Sequence, residues 1–348
     1  MTERDWVLID GSAGEGGGQL LRTSLALSMV TGKPFEMIHV RAKRPKPGLQ
    51  AQHLQALLAA QQICTAVVAG ASKGSLRVRF IPGAPRSGTY RFDIGTAGAT
   101  SLVLHTAYLP LHLREQPSTV QILGGTHVPW SPTYNHLVEA WLPCLRSMGL
   151  RLELTLQRAG FYPHGGGELI ARFEPVTAIQ PLCLNARGPL REVRVFSAHT
   201  NLTDAVAERQ ARAAQRMLQN AGLQPVVEQT QLSSLSRNTV CAITGVFQHA
   251  RVCYTALGAR GKRAEQVAEE ACRAFLTFLR TEATVDEYLA DQLLLPLALA
   301  RGPSMFRTPH VTQHLLTNMA TIRHFLPVGI RYTGTLGHPG DVEISPAP

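Results

Sequence analysis

The 348-residue chain has few lysines, few aromatic residues and no long apolar run. Its longest apolar stretch, near residues 293–300, is far shorter than the roughly 20 residues that span a bilayer. The first six residues mix both charges and have no apolar segment behind them, unlike a secretory leader. We therefore expect a cytoplasmic protein that does not associate with membranes.

Cysteine is also scarce, and its spacing excludes the usual cysteine-based frameworks. No C-x-x-C pair occurs, which argues against a structural zinc site and a redox motif. The scattered positions do not form the dense pattern of a small disulfide-bonded domain. We expect reduced and mostly buried thiols at the six positions, which are Cys64, Cys144, Cys183, Cys241, Cys253 and Cys272.

The overall composition is that of a globular protein. Apolar residues make up 45% and charged residues 17%, which excludes disorder, collagen and coiled coil. The length predicts roughly two domains. A net charge of +10 favours an anionic partner, namely nucleic acid, nucleotide or a lipid surface, without choosing among them.

Acidic residues are absent from one long segment, between Glu36 and Asp93. Arg41 and Arg44 lie there in a proline-bounded loop before a predicted helix, and guanidinium groups match phosphate oxygens, so we interpret them as phosphate-binding. For the strand positions Arg77 and Arg79, a solvated basic face is the favoured interpretation. The basic residues of the segment are Arg41, Lys43, Arg44, Lys46, Lys73, Arg77, Arg79, Arg86 and Arg91.

A glycine-rich segment, residues 10–22, runs from a predicted strand end into a helix. Glycines allow backbone amides to approach a phosphate, and a helix N-terminus favours anions. Gln19 and Arg22 are three residues apart and share one helix face. Neither the Walker nor the Rossmann pattern is present. A tight turn and a ligand loop are therefore equally good interpretations.

Three parts of the sequence look alike. Each has an apolar helical run, and each run is followed by a triplet that begins a second helical pattern, with strand-like residues between them. This favours an α/β unit used about three times. The runs begin at Gln19, Ser101 and Gln292, and the triplets begin at Gln52, Asn135 and Gln313.

Residues 190–280 differ from these repeats in their pattern of apolar and polar residues. Their pattern predicts a compact inserted α/β domain. The predicted strands cover residues 192–197, 224–230, 239–247 and 251–256, and the predicted helices cover 203–221 and 263–279.

Two polar groups in the last third of the chain are candidates for chemistry. His310 and His314 are four residues apart, but Val311 replaces the glutamate of H-E-x-x-H, so zinc is not indicated. A lone histidine at a helix start is more often structural. Asp291 and Gln292 precede an apolar run. They either cap a helix or bind a ribose or a metal-bound phosphate.

Taken together, six segments resemble the RNA 3'-terminal phosphate cyclase family, in order and spacing, over residues 8–342. The resemblance implies an α/β fold with a large domain of three repeats, like the C-terminal domain of translation initiation factor three, and a small inserted thioredoxin-like domain. We place the large domain in residues 1–185 and 283–348 and the inserted domain in 186–282. The segments are residues 14–22, 41–49, 52–54, 160–167, 287–293 and 314–318.

The resemblance also implies an activity. The family converts an RNA 3'-terminal phosphate to a 2',3'-cyclic phosphodiester and consumes ATP. Its histidine nucleophile corresponds to His314, which would form a histidine-AMP intermediate and release pyrophosphate. AMP then passes to the RNA 3'-phosphate, and the neighbouring 2'-hydroxyl expels it. RNA with a 3'-phosphate is the expected partner, and no stable protein partner is predicted.

The remaining roles implied by the resemblance are assigned position by position. Glu15 matches a ligand of Mg²⁺ or Mn²⁺. His105 stands where some members have a glutamine beside the adenine, so that contact is in question. Positions needed for activity are matched by Arg22, Arg41, Arg44, Gln52 and His53, and positions around the adenylate by His105, Pro132, Tyr288, Asp291, Gln292 and His314.

Three other classes of protein are alternatives to this interpretation. A non-catalytic cyclase-like protein of ribosome assembly would lack the active-site histidine, whereas His314 is present. An enolpyruvyl transferase would lack the inserted domain. A purely electrostatic RNA-binding module would keep its function without His314. None of the five lysines lies in the K-x-D-G context of polynucleotide ligases, which argues against lysine adenylation.

Overall fold

The computed structural model of the chain describes residues 6–346. The expectation that the chain does not begin with a secretory leader depends partly on residues 1–5, which lie outside the described residues. The strands are β1 (Val7–Asp10), β2 (Phe35–Ile38), β3 (Val67–Ala69), β4 (Val78–Ile81), β5 (Thr89–Asp93), β6 (Ser118–Gly124), β7 (Leu152–Arg158), β8 (Gly167–Phe173), β9 (Leu190–Thr200), β10 (Pro225–Gln231), β11 (Asn238–Phe247), β12 (Arg251–Leu257), β13 (Ser304–Thr308), β14 (Gly329–Tyr332) and β15 (Gly340–Ser345). The helices are α1 (Gln19–Thr31), α2 (Ala51–Cys64), α3 (Thr100–His112), α4 (Tyr134–His136), a π-helix (Leu137–Trp141), α5 (Leu142–Ser147), α6 (Asp204–Asn220), α7 (Ala264–Leu279), α8 (Glu287–Ala298) and α9 (Gln313–Phe325).

Two four-stranded sheets share one strand order. The first is ordered β1-β2-β4-β3 and the second β5-β6-β8-β7. In each, the first two strands are parallel and the other neighbours are antiparallel. A parallel pair requires a crossover connection, and α1 and α3 supply it.

A three-stranded antiparallel sheet, β13-β15-β14, lies near the C-terminus and is accompanied by α8 and α9. Helix α1 packs against both α3 and α9, and α8 packs against α9. The helices are apolar on nearly all sides, since they lie between sheets and other helices. This packing brings the start of α1 next to the start of α9, although the two are nearly 300 residues apart in the chain.

The fourth sheet, β10-β9-β11-β12, is formed by residues 190–280, the segment predicted to be an inserted domain. All six strands and helices predicted between residues 190 and 280 are present, with bounds that differ by a few residues. Helices α6 and α7 pack on each other and on this sheet. Their buried side chains form a hydrophobic cluster separate from the large one that joins the other three sheets.

One local prediction was wrong, namely that Asp291 and Gln292 begin a helix. Helix α8 begins at Glu287 and is capped by Asp286, whose Oδ1 accepts the backbone N–H groups of Tyr288 and Leu289 at 3.0 and 2.7 Å. Asp291 and Gln292 therefore lie in the second turn, where they cap nothing. Their side chains are free for the interactions described below.

Two expectations from composition can be compared with the structure. The thiols are free and mostly buried, as predicted, with Cys183 exposed. Within residues 6–346, no helix has both the length and the apolar character needed to cross a membrane.

Candidate active site

The glycine-rich segment between β1 and α1 forms the floor of the candidate site. A side chain at Gly18 would collide with the imidazole of His53 and lie 3.1 Å from Nη1 of Arg22. A side chain at Gly17 would lie 2.8 Å from Nη2 of Arg44. The glycines are therefore required so that three basic side chains can approach the turn.

His314 lies at the opposite side of this turn, in the first turn of α9. Thr312 caps that helix by accepting the N–H of Leu315 at 3.1 Å. The Nδ1 atom of His314 lies 2.7 Å from Oε1 of Gln19 and 2.7 Å from Oε2 of Glu15. Within residues 6–346, Nε2 has no hydrogen-bond partner, and the side chain is 50% exposed. Because Gln19 Oε1 accepts at Nδ1, the neutral imidazole carries its proton there and leaves the Nε2 lone pair free.

Gln19 connects His314 to a buried acid. Its Oε1 accepts from Nδ1 of His314, and its Nε2 donates to Oδ2 of Asp291 at 2.7 Å. Asn318 supports the same group, since its Nδ2 donates to the Asp291 carbonyl at 2.8 Å and its Oδ1 accepts from Thr23 at 2.7 Å. The amide of Gln19 is thus fixed at both ends.

The two titratable groups joined by Gln19 have shifted pKa values. Burial lowers the pKa of His314 below its usual 6.5, and the Arg22 and Arg44 cations add to this, while Asp291 opposes it. Burial raises the pKa of Asp291 to about 6, against the opposing effects of His314, Gln19 and Arg22. The imidazole is therefore neutral near pH 7, which is the form that has a nucleophilic lone pair.

Glu15 provides the carboxylate of the site. Its Oε1 forms an ion pair with Nη2 of Arg44, and its backbone N–H donates to Thr317 Oγ1 at 3.3 Å. Its Oε2 is buried and accepts no hydrogen bond, because the Nδ1 proton of His314 points to Gln19 instead. A carboxylate oxygen with unused lone pairs beside cations fits one ligand of a Mg²⁺ ion whose other ligands come from substrate phosphates and water.

No dedicated metal cage accompanies this carboxylate. Among the side chains that the structure describes, no group of three or more His, Cys, Asp or Glu is placed to hold a metal ion.

Arg22 and His53 converge beside Gly18 and form a wall of hydrogen-bond donors, in which only Arg22 is cationic. Burial lowers the pKa of Arg22 from 12.5 to about 10, with Asp291 opposing the shift. Within residues 6–346, the guanidinium has no hydrogen-bond or ion-pair partner. Burial, Arg22, Arg41 and Arg44 together lower the pKa of His53 to about 3. Its Nδ1 accepts the Gln50 N–H at 3.3 Å, so Nε2 carries the proton and is a donor.

The side chains of Arg41 and Gln52 are each hydrogen-bonded to backbone groups of loops. Nη1 of Arg41 donates to the carbonyls of Lys46 and Gly48 at 2.7 and 2.8 Å and so closes its own loop. Gln52 Oε1 accepts the Ala99 N–H at 3.0 Å. Arg77 and Arg79 are exposed side chains that both form ion pairs with the buried carboxylate of Glu36.

The adenylate-side candidates lie along α8 and the segment that precedes α4. Nε2 of Gln292 lies 3.2 Å from Nε2 of His136, and the Oε1 atom of Gln292 is buried without a partner. The Tyr288 ring is 57% exposed and lies 6.4 Å from the Tyr254 ring. Pro132 is partly buried directly before Thr133, which caps α4.

His105 lies on α3 behind this group. Its ring is 4.9 Å from the Trp141 ring, and its Nε2 is buried without a hydrogen-bond partner. Burial, Arg22 and His136 lower its pKa to about 3, so it is a neutral imidazole. A neutral ring with an unpartnered nitrogen can form one hydrogen bond with a polar ligand.

Several contributors were missed in the sequence. The sequence indicates only the helix face of Gln19, and it indicates no role for Thr317, Asn318 or His136. Thr317 and Asn318 follow His314 by three and four residues, so they share its helix face. That spacing was the available signal. The partner of Gln19 was not readable, because it depends on packing across 295 residues.

The site and the order of its elements agree with comparisons to known proteins. Residues 13–332 match the family model of RNA 3'-terminal phosphate cyclase. The chain belongs to this family, whose members are ATP-dependent enzymes that act on RNA.

Curated relatives match along almost the whole chain. The RNA 3'-terminal phosphate cyclase of Pseudomonas fluorescens is 45% identical over 330 residues, covering 94% of both chains. That of Methylococcus capsulatus is 43% identical, covering 91% of this chain and 90% of its own. That of Gloeothece citriformis is 41% identical, covering 91% and 93%.

Proposed function

We propose that the chain converts an RNA 3'-terminal phosphate to a 2',3'-cyclic phosphodiester with ATP, through a histidine-AMP enzyme intermediate and an RNA-adenylate. The observation that carries this proposal is the geometry at His314. A neutral imidazole with its proton held at Nδ1 presents a free Nε2, the Glu15 carboxylate lies at Nδ1, and the Arg22 and Arg44 cations are close enough to lower the pKa of the ring.

In the first step, Nε2 of His314 attacks the α-phosphorus of ATP. A P–N bond forms, the bond to the bridging oxygen breaks, and pyrophosphate leaves. The imidazole becomes cationic as the bond forms, and Gln19 Oε1 and Glu15 Oε2 stabilise the proton at Nδ1. Arg22 and Arg44 offset the negative charge on the transferred group.

The second and third steps move AMP to the RNA and then release it. An oxygen of the RNA 3'-phosphate attacks the phosphorus of the histidine-AMP, and the P–N bond breaks. The 2'-hydroxyl of the same ribose then attacks the 3'-phosphorus and AMP departs, so the last step is intramolecular and benefits from proximity. Arg22 and the Nε2–H of His53 are the donors that hold the RNA phosphate.

The adenylate is held on the α8 side of His314. Tyr288 offers a ring face, Pro132 an apolar contact, and Gln292 an unused buried carbonyl. His105 takes the place of the glutamine seen in some members and offers Nε2 to the base. Arg41 and Gln52 act by shaping the basic loop and the 95–99 loop, because their polar groups are hydrogen-bonded there.

Glu15 is the residue that would hold Mg²⁺ or Mn²⁺. A divalent ion bound there would neutralise charge on the triphosphate. Glu15 also forms an ion pair with Arg44 through its other oxygen. It therefore connects the metal position to an arginine that would bind phosphate.

The overall reaction is tested with an RNA oligonucleotide that ends in a 3'-phosphate, incubated with ATP and Mg²⁺ or Mn²⁺. We expect the RNA 3' end to become resistant to phosphatase. AMP and pyrophosphate should be released as products. RNA ending in a 3'-hydroxyl is the matched control and is expected to remain unchanged. An end that stays sensitive to phosphatase, with folded protein, would refute the proposal.

Replacing Glu15 tests the metal role. Glu15→Gln keeps the shape of the side chain but removes its charge, so we expect the metal concentration for half-maximal adenylation to rise at least about tenfold. A metal titration of the histidine-AMP yield measures this. Glu208→Gln, which changes an exposed ion pair with Arg212 on α6, is the control. Equal titration curves for wild type and Glu15→Gln would contradict the role.

Replacing Gln19 tests the fixed imidazole. Gln19→Leu removes the acceptor at Nδ1 and the donor to Asp291, so the proton distributes between the two ring nitrogens. We expect adenylation to slow about 100-fold, with the KM for ATP nearly unchanged. The ¹⁵N chemical shifts of the His314 ring should move from a single tautomer toward a mixture. Unchanged shifts with normal adenylation would show that Gln19 has no such role.

The domain organisation belongs to the same proposal. We place a large domain of three repeats in residues 1–185 and 283–348 and an inserted thioredoxin-like domain in 186–282. The equal strand order of the first two sheets and the separate cluster on β9 to β12 support this division.

A further inference from the structure

Two exposed aromatic side chains stand on neighbouring loops beside the candidate site. Trp130 is 99% exposed and Tyr162 is 68% exposed. Trp130 also has a φ of 64°, a left-handed conformation that is unfavourable for a bulky residue. A bulky apolar ring held in water by a strained backbone contributes nothing to the core, so such a residue points to a function in binding.

The loops that carry these rings form one surface through backbone contacts. His127 pairs with Phe161, and the N–H of His127 donates to the Gly160 carbonyl at 2.9 Å. Beneath them, the His127 and Phe161 rings stack with centroids 5.2 Å apart. The N–H of Ala159 donates to the Ser233 carbonyl at 2.8 Å, which ties in a third loop. The surface is therefore fixed in place before a ligand arrives.

This surface is continuous with the phosphate-binding part of the site. A side chain at Gly165 would touch the backbone of Thr96 and Ala97, so the loop of Tyr162 rests on the 95–99 loop. That loop is held by Gln52, the direct neighbour of His53. A chain leaving the terminal phosphate at His53 can thus cross the 95–99 loop and reach the two rings.

The charge of the surface fits a polyanion. Residues 95–99, 127–132, 160–166 and 232–237 contain no acidic residue, and exposed His164 and Arg237 lie among them. Aromatic side chains on such an acid-free surface are a usual means of binding single-stranded nucleic acid, because bases stack on the rings in a sequence-tolerant way. A base in a duplex is already stacked and paired, and it offers no free face.

We propose that Trp130 and Tyr162 form a stacking surface for unpaired nucleotides on the 5' side of the RNA 3'-terminal phosphate. This inference rests on the proposed function, since it assigns the part of that RNA which lies outside the reaction centre. It makes the chain selective for RNA whose 3' end is single-stranded. Trp130 and Tyr162 are binding residues and take no part in the adenylation of His314.

Equilibrium binding of labelled 3'-phosphate RNA tests the proposal. The variants are Trp130→Ala, Tyr162→Ala and the double variant, with Trp130→Phe to restore a ring. Tyr332→Ala is the matched control, because Tyr332 is an exposed tyrosine on β14, away from these loops. The probes are a single-stranded octanucleotide, a dinucleotide, and a hairpin whose 3' end is paired.

We expect the double variant to bind the octanucleotide at least about tenfold more weakly, and to bind the dinucleotide and the hairpin nearly as wild type does. Trp130→Phe and Tyr332→Ala should remain close to wild type. Adenylation by ATP without RNA should be unchanged in every variant, which also shows that each one folds.

Two results would overturn the proposal, and they are distinguishable. If wild type and the double variant bind the octanucleotide with equal affinity and both adenylate normally, the proposal of a stacking surface is refuted. The proposed function is then unaffected. Failure of wild type both to adenylate and to bind 3'-phosphate RNA would refute the proposed function, and the stacking surface with it.

Discussion

His314→Ala is expected to abolish the formation of the enzyme adenylate and to reduce overall cyclisation at least about 10⁴-fold, as removal of a nucleophile does in other covalent enzymes. The physical reason is that, among the described residues, the other unpartnered nitrogens beside this turn, on Arg22 and at Nε2 of His53, carry protons and so offer no lone pair to phosphorus. The fold should persist, because the His314 side chain is half-exposed and fills no part of the core.

The same variant should keep one partial reaction. The third step uses the 2'-hydroxyl of the RNA and not His314, so His314→Ala is expected to cyclise RNA that is supplied already adenylated. Product analysis with such RNA measures this. His310→Ala, four residues away at the other side of the helix start, is the control for local disturbance. Loss of the partial reaction together with a normal thermal transition would show that His314 acts beyond the first two steps.

Arg22→Met is expected to separate activity from stability. The guanidinium has no partner within the described residues, and its burial lowers its pKa to about 10. A partly desolvated, unpaired cation costs free energy of folding, while the same cation is available for phosphate. We expect activity to fall at least about 100-fold and the Tm to equal or exceed that of wild type.

Thermal unfolding and steady-state cyclisation measure the two effects of Arg22→Met. Arg91→Met is the matched control, because Arg91 is an arginine that is exposed on β5. Its activity and Tm should match wild type. A clear drop in the Tm of Arg22→Met would indicate that Arg22 supports the fold rather than binding substrate.

The sequence predicted the elements of the chain more fully than it predicted the contacts between them. Turn residues and apolar spacing sufficed for β9 to β12 and for α6 and α7, because local patterns determine them. The start of α8 was misplaced, because Asp286 and Asp291 are both acids followed by an apolar run, and only the cap geometry distinguishes them.

The candidate site shows the same limit. Residue type and motif brought His314, Glu15 and Arg44 into one proposal, and the structure places them together. The sequence could not reveal that Arg41 is bound to its own loop, nor that Gln19 joins His314 to Asp291. Those contacts depend on side-chain orientation across distant segments, which packing decides and composition does not.

The most direct test of the central claim is to incubate the protein with a divalent metal and ATP labelled at its α-phosphate, and then to map the label. The account predicts an acid-labile label on Nε2 of His314 that is absent from His314→Ala. No label on folded wild type with metal present, or a label on a different residue, would contradict it.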